Sequence, residues 1–418
     1  MSTQYAAHAR PRATRAMLAM LIAALGVTMI PGVADAKGKG KKKGQDATVM
    51  TRNVYLGADL GPGLAANDLD ELADGGGQVV NQVDATNFPL RAVALAGEIK
   101  QRKPDLVGLQ EVALWREQPL NLGGAIPPTA KNVEYDFLDL LLDQVNSGKC
   151  KKGKGKGKSS KKGGSKCLRY KAVVVNEEFD FETPVNDQGD PNGGIAGADR
   201  NARLTMRDVI LVKQNAGIKT RKPSQGTFPL LLRVNVSGFD IDVTRGWTSV
   251  EAKVRGGDWF KFVNLHHEAF DSSNSNTTNQ ATTVGQGEIR EAQAKSLIAP
   301  GGPATGKLPV VLVGDLNSDD DTVGNDGDVL AYNALVAGGF RPVDTSNPLS
   351  CCLSDPNLVG GSIADFDHQI DQVMTNSKSI RFKKGFVTGR APVSGLYPSD
   401  HAGVTSLLSV PAGGGKKK

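Results

Sequence analysis

From residue 47 onward, short runs of apolar and β-branched side chains recur along the chain, each closing on a polar residue, with stretches of helical spacing between them. Ala47-Thr-Val-Met-Thr-Arg-Asn-Val54 reads as a strand ending near Asn53. Phe88 to Arg102 has helical spacing and is stopped by Lys103-Pro104, after which the strand Leu106-Val-Gly-Leu109 runs into Gln110-Glu111. The spacing predicts a helix over Val133 to Val145, strands over Tyr170 to Val175 and Arg207 to Lys213, and an antiparallel series from Leu230–Val236 through Phe260–Leu265. A helix over Ile289 to Ile298, a buried strand over Leu308 to Val313 and a helix near Val329 to Val336 follow, with terminal strands around Ile370 to Met374 and Gly403 to Val410. Gly57 to Asn87, Trp115 to Asn132, Thr183 to Asp199 and Asp319 to Asp328 read as surface loops. Helices interleaved with both hairpin-like and crossover-linked strands imply one α/β sandwich with mixed sheets.

With 39% apolar and 22% charged side chains over 418 residues, the chain can bury a large core, so its ends and its lysine tracts stand out as exceptions. Arg10, Arg12 and Arg15, the apolar run Ala16 to Ile30 and the small-residue site Ala34-Asp-Ala36 form the pattern of a secretory signal peptide over residues 1–36. A membrane anchor is disfavoured because the run is short for a bilayer span and ends at Pro31-Gly32. A secreted, monomeric protein is expected, with a Lys/Gly-rich linker over 37–46, a folded domain over 47–411 and a basic tail over 412–418. The net charge is +6, but seventeen lysines are concentrated in 37–43, 149–166 and 416–418, which leaves the rest of the mature chain at −13. An acidic body suits a cation site. The lysine arms suit a polyanion such as nucleic acid or an anionic surface, or are simply solvated.

Cys150 and Cys167 bracket the lysine-rich insert 149–167, and a disulfide there would close a loop of self-repelling charge, worth on the order of 3 kcal/mol by loop entropy. Cys351 and Cys352 are neighbours; a bond between them strains the intervening peptide, so pairing elsewhere or free thiols are expected.

Five segments put polar or ionisable groups at strand ends: Asn53, Glu111, Asn264-Leu-His266, Asp315-Leu-Asn317, and Ser399-Asp-His401 with Asp371 upstream. Asp315 and Asn317, two apart, can project to one side and share a phosphate or water. Singly, each residue has a plainer reading: a turn former, a solvated cap, a core histidine, a carboxylate paired with a surface lysine. Their joint order carries more. In that order the chain resembles the endonuclease/exonuclease/phosphatase superfamily, the fold of pancreatic-type deoxyribonuclease, abasic-site endonuclease, inositol polyphosphate 5-phosphatase and neutral sphingomyelinase, across roughly residues 47–410. Thr51-Arg-Asn-Val-Tyr-Leu-Gly-Ala-Asp-Leu60, Arg203-Leu-Thr-Met-Arg-Asp-Val209 and Arg245-Gly-Trp-Thr248 look like phrases of its secreted bacterial members. Two departures stand out: Asn264-Leu-His-His-Glu268 where Asn-Thr-His-Leu-Glu is usual, which leaves His267 without a role, and the lysine insert.

The resemblance implies a four-layer sandwich of two mixed β-sheets flanked by helices, and a metal-dependent phosphoester hydrolase. It implies that Glu111 holds Mg2+ with Asn53 and Asp400 beside it, Mn2+ being an alternative; hard oxygen ligands suit either ion. It implies His401 as general base oriented by Asp371, Asp315 positioning the attacking water, and Asn317, His266 and Asn264 binding the phosphate, with His266 also assisting the leaving oxygen. The acidic residues of 319–328 are a weaker candidate for Ca2+, since their spacing is not that of an EF-hand loop. No nucleotide-cofactor fingerprint is present. The expected substrate is a phosphate ester, foremost nucleic acid. The alternatives are a sphingomyelinase-like phospholipid phosphodiesterase, a phosphomonoesterase, and, from another class, an inactive polyanion-binding module.

Overall fold

The strand Gln45–Asn53 turns Ala47 and Val49 to one face and Met50 to the other, and the same period-two sorting in its neighbours builds separate cores on the two faces of a sheet. The computed structural model describes residues 44–123, 127–148, 167–188, 192–270, 287–320, 329–342 and 349–413. The first half comprises β1 (Gln45–Asn53), α1 (Gly61–Leu64), α2 (Leu69–Ala85), α3 (Phe88–Arg102), β2 (Leu106–Gln110), β3 (Leu114–Pro119), β4 (Asn132–Asp136), α4 (Phe137–Asn146), β5 (Tyr170–Val185), α5 (Gly194–Gly197) and β6 (Arg200–Lys213). The second half comprises β7 (Lys219–Thr227), β8 (Leu232–Val236), β9 (Phe239–Val243), β10 (Gly246–Lys253), β11 (Trp259–His266), α6 (Glu288–Ile298), β12 (Val310–Asp315), α7 (Leu330–Ala337), β13 (Arg341–Pro342), β14 (Asp371–Thr375), β15 (Arg381–Thr388) and β16 (Gly403–Val410).

One sheet runs β15-β16-β1-β2-β6-β3-β4 with β5 also on β6; the other runs β13-β14-β12-β11-β10-β7, and β8-β9 form a hairpin. Both large sheets are mixed, because β1 with β2 and β11 with β12 are parallel while their other pairings are antiparallel. Between the sheets, Val49, Leu106, Ile210 and Leu408 pack with Val250, Phe260, Phe262, Val311 and Val373. Each such side chain contributes about 1.5–3 kcal/mol relative to exposure. The outer face of the first sheet, through Met50, Val107 and Leu109, meets Leu72 and Val83 of α2, Leu95 and Ile99 of α3 and Phe137 of α4. Val263, Leu265, Val310 and Leu312 meet Leu297 of α6 and Leu335 of α7 on the outer face of the other. The result is the expected four layers: helices, sheet, sheet, helices.

Several local expectations give way. The segment Gly57–Asn87 is not a loop but holds the 17-residue α2, capped by Asp68, whose side chain accepts from the Glu71 N–H. Its central glycines read as helix breakers, yet they are where the helix meets other backbone: a Cβ on Gly75 would collide with the Pro62 carbonyl, and one on Gly77 with that of Asn186. Strand β4 takes the first residues of the helix expected from Val133, because Asp136 caps α4 by accepting from the Leu138 and Asp139 N–H groups. β3 runs into the first residues of the expected loop Trp115–Asn132, β5 continues to Val185 against β6, and β15 occupies a stretch given no element. β1 starts at Gln45, opposite Val410, so the fold overruns the linker expected to end at 46. The sulfurs of Cys351 and Cys352 are placed together as a vicinal pair, against the expectation that neighbours would not pair.

The signal segment, most of the linker, the insert with Cys150, residues 321–328 and the tail from 414 lie outside the described residues, as does the Cys150 end of the Cys150–Cys167 pairing. Among the described residues no helix is long and apolar enough to cross a membrane.

Candidate active site

Parallel strands deliver their C-terminal ends, and antiparallel strands their N-terminal ends, to one edge of a sheet. That rule gathers the candidate residues. Asn53 ends β1 opposite Gln110 at the end of β2, His266 ends β11 opposite Asp315 at the end of β12, and Asp315 faces Asp371 at the start of antiparallel β14. Ser399-Asp400-His401 leads into β16, antiparallel to β1. Helix α3 clamps this rim from below. Buried Arg91 donates to the carbonyls of Val54, Tyr55 and Pro398 at 2.7–3.2 Å, tying the loop after β1 to the loop before β16. Arg52, buried and ion-paired to Glu98 of α3 at 3.0 Å, donates to the carbonyls of Asn53 and His401.

At the centre, His401 Nδ1 lies 2.8 Å from Asp371 Oδ2, and His401 Nε2 lies 3.6 Å from Asp315 Oδ2. Burial by itself would lower the His401 pKa; the carboxylates of Asp371, Asp315 and Asp400 outweigh it and hold the imidazole well above its usual value. Asp315 is pushed up to about 7, chiefly by burial and then by Asp371, against the pull of His401 and the hydrogen bond from Asn53. The same Asp315 Oδ2 sits 3.8 Å from His266 Nε2, so one carboxylate oxygen lies within reach of both imidazoles. Asn317 adopts a left-handed backbone (φ 46°); its N–H donates to Asp315 Oδ1 at 2.9 Å and its side chain to the His267 carbonyl at 3.0 Å. Glu111 (φ 57°) and Tyr55 (φ 58°) are left-handed too, conformations costing on the order of 1–3 kcal/mol for such residues and characteristic of sites whose surroundings hold them.

Asn264 is not brought to this cluster. It shares a strand face with His266 but lies one pleat deeper, fully buried, where its amide donates to the Leu109 carbonyl and Thr248 Oγ1 and its oxygen accepts from Gln110. It staples the two sheets together. His267, without a role in the sequence, packs inward against Phe228 with ring centroids 5.3 Å apart, and burial pushes its pKa down to about 3.

The structure adds residues that strand-end patterning missed. Arg245, just before β10, is buried beside His266, with Nη1 3.2 Å from its Nδ1, and pairs with Glu268 at 3.4 Å. Asp208, in β6, approaches His266 Nδ1 at 4.0 Å, and Glu178, in β5, joins Asp208 and His266 in one buried group. Burial raises Asp208 well above its usual value and Glu178 to about 8, while His266 is lowered well below its own by burial and by Arg245. Burial opposes the Arg245 charge, but Glu268, Glu111 and Glu178 more than restore it. A neutral histidine is thus wedged between a fixed cation and the acidic rim. The signal available was polar residues interrupting otherwise apolar strands, as Asp208 does in Arg207-Asp-Val-Ile-Leu-Val212.

Glu111 and Asp400 line one cleft of about 320 Å3, in which Arg245 is the one basic side chain among the described lining residues. Burial raises Asp400, and Glu111 raises it further, against His401, so the cleft concentrates negative charge. Two hard carboxylates in that field fit a divalent cation. Asn53 is present but turned: Nδ2 donates to Glu111 Oε1 at 2.9 Å and Asp315 Oδ2 at 3.0 Å, while its oxygen accepts from the Tyr55 N–H. In this arrangement it bridges two carboxylates rather than offering an oxygen to the cation. Asp319, from the segment considered for Ca2+, is buried and accepts from the Gln369 N–H, while residues 321–328 lie outside the described residues.

The family model described as "Endonuclease/Exonuclease/phosphatase family" matches residues 53–401. Among solved structures, an endonuclease/exonuclease/phosphatase family protein of Bacteroides thetaiotaomicron is similar at 14% identity over 88% of this chain and 99% of that one (TM-score 0.46). A mannosyl-6-phosphatase of the same organism is similar at 14% over 87% and 99% (0.44), and an endonuclease/exonuclease/phosphatase of Beutenbergia cavernae at 16% over 87% and 72% (0.46). The search of curated proteins returned no match.

Proposed function

Since the chain belongs to the Endonuclease/Exonuclease/phosphatase family and is a metal-dependent phosphoester hydrolase of that type, we propose that it is a secreted, Mg2+-dependent phosphodiesterase acting on nucleic acid. The observation that carries the hydrolytic reading is the row Asp371–His401–Asp315, opening beside Glu111 and Asp400. Glu111 and Asp400 would hold the cation, which supplies Lewis-acid stabilisation of negative charge on the phosphoryl oxygens. His401 Nε2 accepts the proton of the attacking water, while Nδ1–H stays bonded to Asp371, which fixes the tautomer and stabilises the imidazolium. Asp371 and Asp315 lead the carboxylates that raise the His401 pKa, so the rate is expected to climb with pH as Nε2 loses its proton and becomes available as base. Asp315 orients the water through Oδ2. Arg245, kept charged, and neutral His266 face the phosphate from the other side; with Nδ1 turned to Arg245, His266 assists the leaving oxygen by donating a hydrogen bond from its Nε2–H, and Asn317 adds a donor.

Nucleic acid is favoured by the lysine tracts, since sequence-independent cleavage needs chiefly backbone charge contacts. The basic n-region, apolar run and Ala34-Asp-Ala36 support export. One observation favours a second reading, a phospholipid phosphodiesterase: the cleft wall is largely apolar, including Leu60, Leu64, Phe179, Met206, Val243 and Phe270. The deciding experiment offers supercoiled plasmid and choline-phospholipid vesicles to the mature protein, with Mg2+ or EDTA and with a His401→Ala control. Nicking that needs Mg2+ and His401 supports the nuclease. Vesicle hydrolysis without nicking replaces it with the phospholipid reading, and neither reaction refutes both.

A further inference from the structure

The vicinal cysteines abut the catalytic histidine. Cys351 Sγ lies 3.6 Å from His401 Nε2, and single donor atoms of Cys351, Cys352 and His401 all fall within 4.8 Å of one another. We propose that Cys351, Cys352 and His401 form, when the cysteine pair is reduced, a site for a thiophilic divalent cation such as Zn2+, and that filling it switches hydrolysis off by occupying the nitrogen that serves as base. The proposal rests on the reading of His401 given above.

The geometry suits such an ion. With Zn–S near 2.3 Å and Zn–N near 2.0 Å in a tetrahedron, ligand atoms stand roughly 3.5–3.8 Å apart, the spacing already present between Cys351 Sγ and His401 Nε2. Asp371 holds the other ring nitrogen, the supporting partner that metal-bound histidines typically have. Backbone bonds keep the sulfurs in register with the histidine: the Ala402 N–H donates to the Ser350 carbonyl at 2.6 Å, the Leu353 N–H to the Asp400 carbonyl at 2.9 Å, and the Asp367 and His368 N–H groups to the Cys351 carbonyl at 2.9 Å. Cys351 is buried and Cys352 exposed, so reductant and cation enter by Cys352. The chemistry balances with an external dithiol or phosphine as reductant. Two electrons and two protons convert the S–S bond to two thiols as the reductant is oxidised, and cation binding then expels those two protons to leave two thiolates. Hard Mg2+ prefers Glu111 and Asp400, so the two cations do not compete for the same donors.

The test uses the full mature protein carrying Cys150→Ser and Cys167→Ser, so that Cys351 and Cys352 are its only thiols, oxidised or reduced with a phosphine that is then removed. Cd2+ titration is followed by the thiolate-to-metal absorption band, and Zn2+ inhibition is measured in excess Mg2+. Expected is a one-equivalent Cd2+ band in reduced protein only, and roughly tenfold loss of activity at a Zn2+ concentration about ten times its dissociation constant. Cys352→Ser, reduced, should keep its basal activity, lose the band and require more than about tenfold more Zn2+ for the same inhibition; Cys351→Ala should do likewise. Absence of the band in reduced protein, or equal Zn2+ inhibition of oxidised protein and both variants, overturns the proposal. A band without inhibition overturns the capture of His401. Activity of His401→Ala without Zn2+, measured alongside, tests the underlying reading separately, because it removes the base whatever the cysteines do.

Discussion

Replacing Asp371 by Asn keeps the shape of the row behind His401 while removing its charge. In the native protein Asp371 Oδ2 lies 2.8 Å from His401 Nδ1 with both groups buried, and Asp371 heads the carboxylates that raise the histidine's pKa. A hydrogen bond to a charged group is worth about 1.5–3 kcal/mol net, and the bare Coulomb term at this separation, with an effective dielectric near 20, sets a ceiling of about 6 kcal/mol. The loss on forming an imidazolium in the transition state should therefore be about 2–4 kcal/mol, or roughly 30- to 1000-fold in kcat/KM. The sign of the pH effect follows from the same contact. Without the Asp371 charge the His401 pKa falls, so the acid limb of kcat/KM moves to lower pH even as the plateau drops. A pH profile on a chromogenic phosphodiester, with Mg2+ saturating, reads both quantities, and an unchanged thermal midpoint separates them from misfolding. An Asp371→Asn variant within about threefold of wild type, with its acid limb in place, refutes the assignment of His401 as a base oriented by Asp371.

Glu111→Gln should raise the Mg2+ concentration needed for half-maximal rate at least about tenfold by removing one of two carboxylates in the cleft; unchanged Mg2+ affinity by calorimetry would place the cation elsewhere. Arg245→Ala leaves Glu178, Asp208 and Glu268 buried without their shared cation and should cost on the order of 3–5 kcal/mol in urea denaturation, with Arg245→Lys recovering part; a change under about 1 kcal/mol would deny the pairing. In EDTA, stability should fall as pH rises. Asp315 and Glu178 have folded pKa values of about 7 and about 8, above unfolded values near 3.9 and 4.3, so their contribution is complete below the unfolded values and lost on approach to the folded ones. The urea midpoint followed from pH 4 to pH 8 checks this, and a midpoint that rises with pH contradicts it. Deleting Lys151 to Lys166 should flatten the salt dependence of nucleic-acid binding measured by filter retention, while an unchanged slope would make the insert a spacer.

Much of the site was legible because each residue stands at the polar end of an apolar strand: Asn53 after Val49-Met-Thr-Arg52, Asp315 after Val310-Val-Leu-Val-Gly314, His266 after Phe262-Val-Asn-Leu265. Strand period and strand end are local properties, set by the one-dimensional order of side chains. The order of these ends along the chain was also enough to indicate the family. Less visible were α2, whose three consecutive glycines contradict its helical state until Pro62 and Asn186 are seen against them, and the capped switch from β4 to α4 at Asp136. Sequence alone thus determined the alternation that sorts four layers and the chemical types gathered at one sheet edge. Tertiary structure decided which of those groups meet: that Asn264 staples sheets while His266, two residues on, reaches Arg245 and Asp315, that Asn53 bridges Glu111 and Asp315, that Arg245 anchors the buried carboxylates, and that Cys351 lies against His401. Those outcomes depend on pleat depth, register and low-dielectric neighbours contributed by distant segments, and no local pattern encodes the distance between two strands that pair only in the folded chain.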